Sequence, residues 1–274
     1  MPADQQSVTA RALTKVPEIT AFFWVTKILT TAMGEATSDF MNAALGPAIA
    51  VPLMLMGLVV ALKRQFKSTG YNAWNYWLVV IMVAVFGTSC ADALHVGFGI
   101  AYPVSSTFYL VVLAVIFVAW YRSEQTLSIH SIYTRRRERF YWATVLATFA
   151  LGTAAGDMTA TNWNLGYLSS GILFISLFVL PAVAYRWFGL NSIFAFWFAY
   201  IMTRPLGASF ADWLDASKHK GGIALGTGAV AIGLAVVMVG FITYLAVSRI
   251  DVAKGEQPAV PQPHVKPVLD LELD

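Results

Sequence analysis

Four aspartates occupy the same place in a spacing that occurs four times along the chain. The spacing is an aromatic residue followed by Trp, nine further residues, a Gly, four residues and the Asp. The four acids are Asp39, Asp92, Asp157 and Asp212. Each lies in an apolar stretch, and an ionised carboxylate costs about 2.5 kcal/mol or more to insert into a bilayer, so such residues usually pair, bind cations or relay protons. We therefore predict that the four acids bind ions; the alternative is that they cap helix ends or close the adjacent turns.

Two of the four copies carry further charges. The first copy contains Lys27 and Glu35, and the fourth contains Arg204. With the four aspartates they make five negative and two positive groups, a formal surplus of three negative charges. Either some of the acids are protonated or a cation occupies the site. If the first and last copies lie side by side, Arg204 is expected to pair with Glu35 or with Asp39.

The uncharged members of the spacing complete the candidate site. On a helical wheel the Trp, the Gly and the Asp of the first copy, together with Thr31, fall within an arc of about 140°. One face of each motif helix is therefore expected to turn inward, and we add Thr31 to the candidate substrate- or ion-binding residues together with Trp24, Trp77, Trp142 and Trp197. Small residues four apart let helices approach closely in a membrane. We accordingly predict a helix-packing role for Gly34, Gly87, Gly152 and Gly207.

One pair of residues has the spacing of metal ligands. His95 follows Asp92 by three residues, which places both side chains on one face of a helix. An Asp-x-x-His pair can contribute to a divalent-metal site, and hydrogen bonding at the membrane interface is the alternative role for this histidine.

The composition predicts the kind of fold that holds these residues. Of the 274 residues, 58% are hydrophobic and 12% are charged, whereas roughly a quarter are charged in an average globular protein. Apolar stretches approach the roughly 17–25 residues that a membrane-spanning helix needs, and alternating strand segments are missing. The sequence predicts an all-α, polytopic membrane bundle of eight transmembrane helices in four tandem, parallel two-helix repeats. The predicted spans are about 18–40, 43–62, 73–94, 98–120, 138–158, 164–186, 190–211 and 222–246.

The distribution of basic residues indicates the orientation. Fourteen of the eighteen Lys and Arg residues fall on one side of the predicted spans, and the positive-inside rule places that side, with both termini, in the cytoplasm. A single membrane domain is predicted over residues 15–250, with repeats at about 15–67, 68–125, 135–187 and 188–250, and with Pro17 at the start of the first helix. Residues 1–14 and 251–274 are predicted to be disordered cytoplasmic tails.

These patterns favour a secondary transporter. It is expected to move or exchange a cation, either a divalent metal or a proton-coupled solute, through an inward-facing acidic cavity. A cation channel with a ring of four Asp is one alternative, and a non-transporting membrane scaffold is another. The sequence shows no ATP-binding loop, metalloprotease His pair or nucleophile motif, so we expect no enzyme activity and no cofactor. The expected partners are the lipid bilayer and a small cation or proton-coupled small solute, without nucleic acid; a homo-oligomer is left open.

Three segments and the repeated Trp carry a family resemblance. The segments are Lys15-Val16-Pro17-Glu18, Thr30-Thr31-Ala32-Met33-Gly34-Glu35 and Thr203-Arg204-Pro205-Leu206-Gly207-Ala208-Ser209. With four tandem two-helix units, the chain resembles a bacterial membrane-protein family known only as a fourfold repeat of unknown function. The resemblance covers about residues 15–250 and implies eight spans in a bacterial inner membrane, while it supplies no activity, substrate or catalytic residue.

Overall fold

The computed structural model describes residues 14–252, which contain eight α-helices and no β-strand. The helices are α1 (Ala21–Leu45), α2 (Pro47–Lys67), α3 (Ala73–Asp92), α4 (Tyr102–Glu124), α5 (Arg135–Asp157), α6 (Gly166–Phe188), α7 (Ser192–Asp215) and α8 (Thr227–Ser248). One-turn π-helical segments follow α3 (Ala93–Gly97) and α5 (Met158–Asn162). Short 3-10 turns, Ile129–Ser131 and Lys218–Lys220, lie in the connections before α5 and α8.

Five of these helices are long and apolar enough to cross a membrane. They are α2, α4, α6, α8 and α3 together with the start of its π-helical turn. The other three, α1, α5 and α7, have similar lengths and carry the ionisable residues of the first, third and fourth copies. We call the four helices that carry the repeated spacing the motif helices (α1, α3, α5 and α7) and the other four the peripheral helices (α2, α4, α6 and α8). All four peripheral helices and, of the motif helices, α3 are among the five candidate spans.

Each motif helix begins at a polar N-cap. The side chains of Thr20, Asn72, Thr134 and Asn191 accept a hydrogen bond from a backbone N–H of the first turn, which satisfies a donor that the helix leaves free. The peripheral helices lack such a side-chain bond, and two of them carry Pro in the first turn instead. The prediction that Pro17 begins the first helix is wrong, because the helix starts after the Thr20 cap.

The four motif helices form a closed ring. The helix α1 packs against α3 and α7, and α5 packs against the same two helices from the opposite side. Their C-terminal ends, which carry the repeated aspartates, meet at one end of the ring, so the four helices run parallel. We call this the acidic end, and the end formed by their first turns the aromatic end.

Each peripheral helix packs mainly on the motif helix of the next repeat. The helix α2 lies against α3, α4 against α5 and α6 against α7, while α8 returns to pack on α1. The two helices of one repeat make fewer contacts with each other than with neighbouring repeats. The sequence predicts two-helix units. In the structure the second helix of each unit packs on the first helix of the following unit, and this packing links the units around the ring.

The repeat glycines lie where adjacent motif helices approach most closely. A methyl group added at Gly34 would meet the Ala84 backbone at 3.0–3.1 Å, and one at Gly87 would meet Phe149 Cβ at 2.8 Å. Similarly, Gly152 faces Arg204 and Pro205, and Gly207 faces Thr31. In each case the facing residue of the next motif helix stands three positions before that helix's own glycine. One repeated contact therefore joins all four motif helices.

The segment before α1 belongs to the folded part of the chain. Thr14, Lys15 and Val16 are buried, and the Lys15 N–H donates to the Ile132 carbonyl at 3.0 Å. The predicted tails, 1–14 and 251–274, lie outside the described residues except for Thr14, Asp251 and Val252. Asp251 is also buried, so the first and last described residues both pack at the aromatic end.

We predict that Gly34→Ala destabilises the protein while Gly233→Ala does not. The added methyl at Gly34 has no room beside Ala84, and overpacking typically costs about 1–3 kcal/mol. Gly233 is exposed on α8 with nothing within 4 Å of an added methyl, so Ala there only improves helix propensity. Thermal unfolding of the purified protein in detergent measures the difference, and equal midpoints for the two variants would contradict the packing role.

Candidate functional site

The four repeat aspartates line one cavity at the acidic end. It has a volume of about 690 Å³, and Glu35 also lines it. All four aspartates are partly exposed, and within residues 14–252 none of their carboxyl groups makes a hydrogen bond or ion pair. A capping role also conflicts with chemistry, because carboxylates and the free carbonyls at a helix C-terminus are both acceptors. The four acids are therefore available to bind a ligand.

Three-carboxylate groups form where the motif helices converge. Oxygen atoms of Glu35, Asp157 and Asp212 lie within 4.8 Å of one another, and so do those of Asp39, Asp212 and Asp215. We call these the inner triad and the outer triad; Asp212 belongs to both. Carboxylate-only ligand sets suit hard divalent cations such as Mg²⁺, Ca²⁺ and Mn²⁺.

The second copy contributes less to these groups. Asp92 lines the cavity, while the triads contain the acids of the other three copies. The His95 ring stacks on Tyr102 with centroids 3.5 Å apart, and its Nδ1 is hydrogen bonded to the Ile100 carbonyl at 2.8 Å. Within the described residues, the structure thus places this histidine in the π-helical turn after α3 and outside both triads.

Arg204 lies beneath the cavity, where it binds Glu35 of the lining. Its side chain is fully buried, and its Nη2 donates to Glu35 Oε2 and to the hydroxyl of Thr153, the latter at 2.7 Å. The same nitrogen contacts the hydroxyl of Thr88, which in turn donates to Glu35 at 3.1 Å. The sequence predicts this ion pair between the first and fourth copies, and the structure contains it. Glu35, Thr88 and Thr153 stand at one position of three repeats, so equivalent residues converge on a single guanidinium.

Lys27 lies deeper, on the aromatic side of Arg204. Its ammonium group is fully buried and makes no hydrogen bond within the described residues. It lies 3.9 Å from the centroid of the Phe149 ring and 4.3 Å from that of Tyr200, distances typical of cation–π contacts. The Arg204 guanidinium also faces Phe149, at 5.6 Å. Neither cation lines the cavity, although the sequence placed both with the acids in one binding site.

The four tryptophans lie at the aromatic end. The aromatic residue before each Trp contacts the Trp of the next repeat, which closes a cycle of ring contacts: Phe23 with Trp77 (5.8 Å), Tyr76 with Trp142 (5.5 Å), Tyr141 with Trp197 (6.1 Å) and Phe196 with Trp24 (5.6 Å). The prediction that they share a binding site with the aspartates needs correction. The Trp and the Asp of each repeat are fifteen residues apart, which is about 22 Å along a helix. Two residues on one helix face can therefore belong to different sites.

Trp24 and Thr31 lie outside the acidic cavity, although the helical wheel places both on the predicted inward face of α1. Trp24 is partly exposed and lines an apolar groove of about 700 Å³ between α1, α6 and α7, whereas the other three Trp residues are buried. Thr31 lies at the contact with Gly207, and its hydroxyl donates to the Thr203 carbonyl at 3.0 Å. Both residues therefore take part in helix packing.

Several residues of the axis escaped the sequence analysis. Phe149 stands three positions before its repeat glycine, as Arg204 does, and Tyr200 stands three positions after its Trp, as Lys27 does. Aligning the four copies position by position would have shown that these residues occupy the same levels as the two buried cations. Three tyrosines, Tyr76, Tyr141 and Tyr200, also meet on the axis and are fully buried; we call them the tyrosine chain.

We predict that Arg204→Ala destabilises the protein more than the double variant Arg204→Ala/Glu35→Ala. Removing the guanidinium alone leaves a buried carboxylate without its partner, which typically costs about 3–5 kcal/mol, and removing both charges relieves this penalty. A double-mutant cycle on unfolding free energies in detergent measures the coupling. Strictly additive effects of the two substitutions would contradict a direct pair.

Comparison with curated proteins and with solved structures gives no significant match. Four segments of the chain match the family described as Repeat of Unknown Function (DUF347): residues 22–71, 75–126, 140–190 and 195–251. Each segment begins one residue before its aromatic–Trp pair and extends through one motif helix and its peripheral helix. Because these segments cover most of the chain, the protein belongs to the DUF347 family, a repeat family of unknown function.

Proposed function

We propose that this protein is a secondary transporter that binds a divalent cation in the acidic cavity. The observation that carries the proposal is the convergence of all four repeat aspartates and Glu35 in one cavity, where the aspartate carboxyl groups make no hydrogen bond or ion pair within residues 14–252. Transport rather than channel flow is supported by the axis, which side chains fill beneath the cavity. We further propose that the protein resides in a bacterial inner membrane.

The topology in this proposal has all eight helices crossing the membrane with both termini in the cytoplasm. Two of the less apolar motif helices direct charged residues into the ring, α1 with Lys27 and Glu35 and α7 with Arg204, where neighbouring helices shield them from lipid. Of the fifteen Lys and Arg residues within 14–252, eleven lie on the side of the aromatic end, so the positive-inside rule makes that end cytoplasmic. The acidic cavity then opens toward the opposite side of the membrane.

Charge supports a cation as the ligand. The two triads contain five carboxyl groups and Asp92 adds a sixth, against the single guanidinium of Arg204 beneath the cavity. A formal surplus of this size requires bound cations, protons or both. In the inner triad Arg204 neutralises Glu35, which leaves Asp157 and Asp212. In the outer triad all three carboxylates remain. Because Asp212 belongs to both triads, four different carboxylates are available to a dication.

A cation channel is the second candidate, and one observation favours it. The motif helices surround a single axis with the four aspartates at one end, as expected for a carboxylate ring at a pore mouth. Below the ring, however, the Arg204–Glu35 pair and the Phe149 side chain fill the axis. A conducting state therefore requires these buried groups to separate, whereas a transporter needs only alternate closure at the two ends.

We predict that Asp212→Asn weakens Mn²⁺ binding at least about tenfold, while Asp92→Asn has a much smaller effect. The two substitutions are chemically identical and occur at one repeat position, but Asp212 belongs to both triads and Asp92 to neither. Isothermal titration calorimetry of the detergent-solubilised protein measures affinity, with Mg²⁺ and Ca²⁺ as further probes. Equal losses in the two variants would contradict the triads, and no loss in either would contradict the cavity as the binding site.

We also predict that Asp39→Asn and Asp212→Asn each abolish cation flux in proteoliposomes while the protein remains folded in the membrane. Each removes a ligand that the outer triad requires. Glu124→Gln provides a control, because Glu124 pairs with Arg137 at the aromatic end, far from the cavity. Wild-type flux in both aspartate variants would exclude the acids from transport.

A further inference from the structure

Buried titratable groups continue along the axis from beneath the acidic cavity to the aromatic end. Beyond Arg204 come Lys27 and then the tyrosine chain. Tyr71 and Asp251 follow at the last described level of the fold. Such a row is expensive to bury in a membrane protein, and intramembrane ionisable residues usually mark ion or proton pathways. None of these groups takes part in cation binding as described above.

We propose that Lys27 and the tyrosine chain carry protons between the acidic cavity and Asp251, so that cation movement is coupled to proton movement. This inference rests on the proposed function, since the cavity supplies the cation site to which the path is coupled. It assigns a role to residues on the axis that the repeat pattern alone left unexplained.

Lys27 is held loosely for a buried cation. Two ring faces contact its ammonium group, and no hydrogen bond or carboxylate fixes it within the described residues. Only the Phe149 ring separates it from the Arg204 guanidinium, because both cations contact that ring. The flexible four-carbon stem of lysine can swing past one ring. Lys27 is therefore suited to accept a proton on the cavity side and release it on the tyrosine side.

The tyrosine chain supplies hydroxyl groups that both donate and accept. The hydroxyl oxygens of Tyr76 and Tyr141 lie 2.5 Å apart, while the buried Tyr200 hydroxyl, near that of Tyr141, has no hydrogen-bond partner within the described residues and is free to accept or donate. Phenolic hydroxyls can pass a proton on because each donates one hydrogen bond while accepting another. The ring of Tyr200 also contacts the Lys27 ammonium group, so the tyrosine chain starts directly beside Lys27.

The path leaves the ring through Tyr71 and Asp251. The Tyr71 ring lies 5.9 Å from that of Tyr76, and its hydroxyl donates to Asp251 Oδ2. Both residues line a second cavity of about 300 Å³ at this end, with Arg249 also in its lining. Burial raises the pKa of the Asp251 carboxyl above its usual range, against the opposing effect of the Tyr71 hydrogen bond. Asp251 can therefore take up and release a proton at the surface of this cavity.

Glu138 is the other buried acid at the aromatic end, and it is less suited as an exit. Lys15 binds it at 2.8 Å and Gln65 donates to it at 3.3 Å, so its oxygens are already engaged. Asp251, in contrast, accepts from Tyr71 at one oxygen, and its other oxygen has no hydrogen-bond partner within the described residues.

The proton balance of each step is simple. The neutral Lys27 amine takes up a solvent proton on the cavity side and becomes an ammonium group; when it passes a proton on, one positive charge leaves the region beneath the acidic cavity, which favours a bound dication. The resulting ammonium group donates a proton to the tyrosine chain, where each hydroxyl accepts one proton and releases another. The Asp251 carboxylate accepts the last one. Only N–H and O–H bonds change, and the reverse order moves a proton toward the cavity.

The test uses the full chain reconstituted in phospholipid vesicles that contain a pH-sensitive dye, with an imposed Mn²⁺ gradient. Tyr141→Phe removes one hydroxyl and keeps the ring, and Lys27→Met keeps the length of the side chain without its amine. Both are expected to lower Mn²⁺-driven proton movement at least about tenfold, while Tyr141→Phe leaves Mn²⁺ affinity unchanged. Tyr244→Phe is the matched control, because this tyrosine is 48% exposed on α8 and away from the axis.

The outcomes separate the path from the cation site. Wild-type proton movement in Tyr141→Phe, with Mn²⁺ binding intact, overturns the path and leaves the proposed function standing. If the wild-type protein binds no divalent cation, the proposed function fails, and the path is then tested by an imposed pH gradient alone. Under that gradient the wild type must pass protons faster than Tyr141→Phe, and equal rates overturn the path. Size-exclusion profiles and unfolding midpoints confirm that the variants are folded.

Discussion

The close approach of motif helices at the four repeat glycines sets the dimensions of the whole molecule. Because each glycine contacts the same position of the next helix, all four helices keep one register around the ring. Residues at equal positions in the repeats therefore occupy one level of the axis. The aspartates form one level, Glu35 with its threonine equivalents a second, and the aromatic residues another. The number of residues between two members of the repeated spacing therefore sets the distance between their levels along the axis.

The four repeats share one backbone arrangement, but their side chains at the axis of the ring differ. A guanidinium occupies the axis in only one copy, and it takes its hydrogen-bond partners from the other three, including Thr88 and Thr153. A ring of four identical repeats could not provide one cation with a carboxylate and two hydroxyls. The interior of the ring is consequently asymmetric although its outline is regular, and Lys27 with Phe149 extends this asymmetry toward the aromatic end.

The sequence was informative about spans, faces and charge pairs, because these depend on local periodicity and on the cost of burying charge. Helical periodicity placed the aspartates toward the interior, and charge balance paired Arg204 with Glu35 or Asp39, of which the structure contains the Glu35 pair. Periodicity does not say which helices become neighbours, so the packing of peripheral helices on the next repeat could not be predicted. It also does not say how far apart two residues on one face lie, which is why the tryptophans were wrongly grouped with the acids.

Sequence patterns were least informative where a level combines different residue types. Asp215 joins the outer triad from outside the repeated spacing, and only the convergence of helix ends brings it there. Phe149 and Tyr200 look like ordinary apolar core residues when each copy is considered alone. Their positions on the axis become apparent only when four different side chains are compared at one repeat position.

The packing of α8 on α1 has a consequence for synthesis of the chain. The helix α1 leaves the ribosome first, yet the peripheral helix that covers it is made last. Until α8 has been made, lipid or an insertion factor must shield the surface of α1 that α8 later occupies. The other three motif helices follow directly after the peripheral helix that covers them. Closure of the ring thus waits for the fourth repeat, and Glu35 of the first repeat stays without its Arg204 partner until that repeat has been inserted.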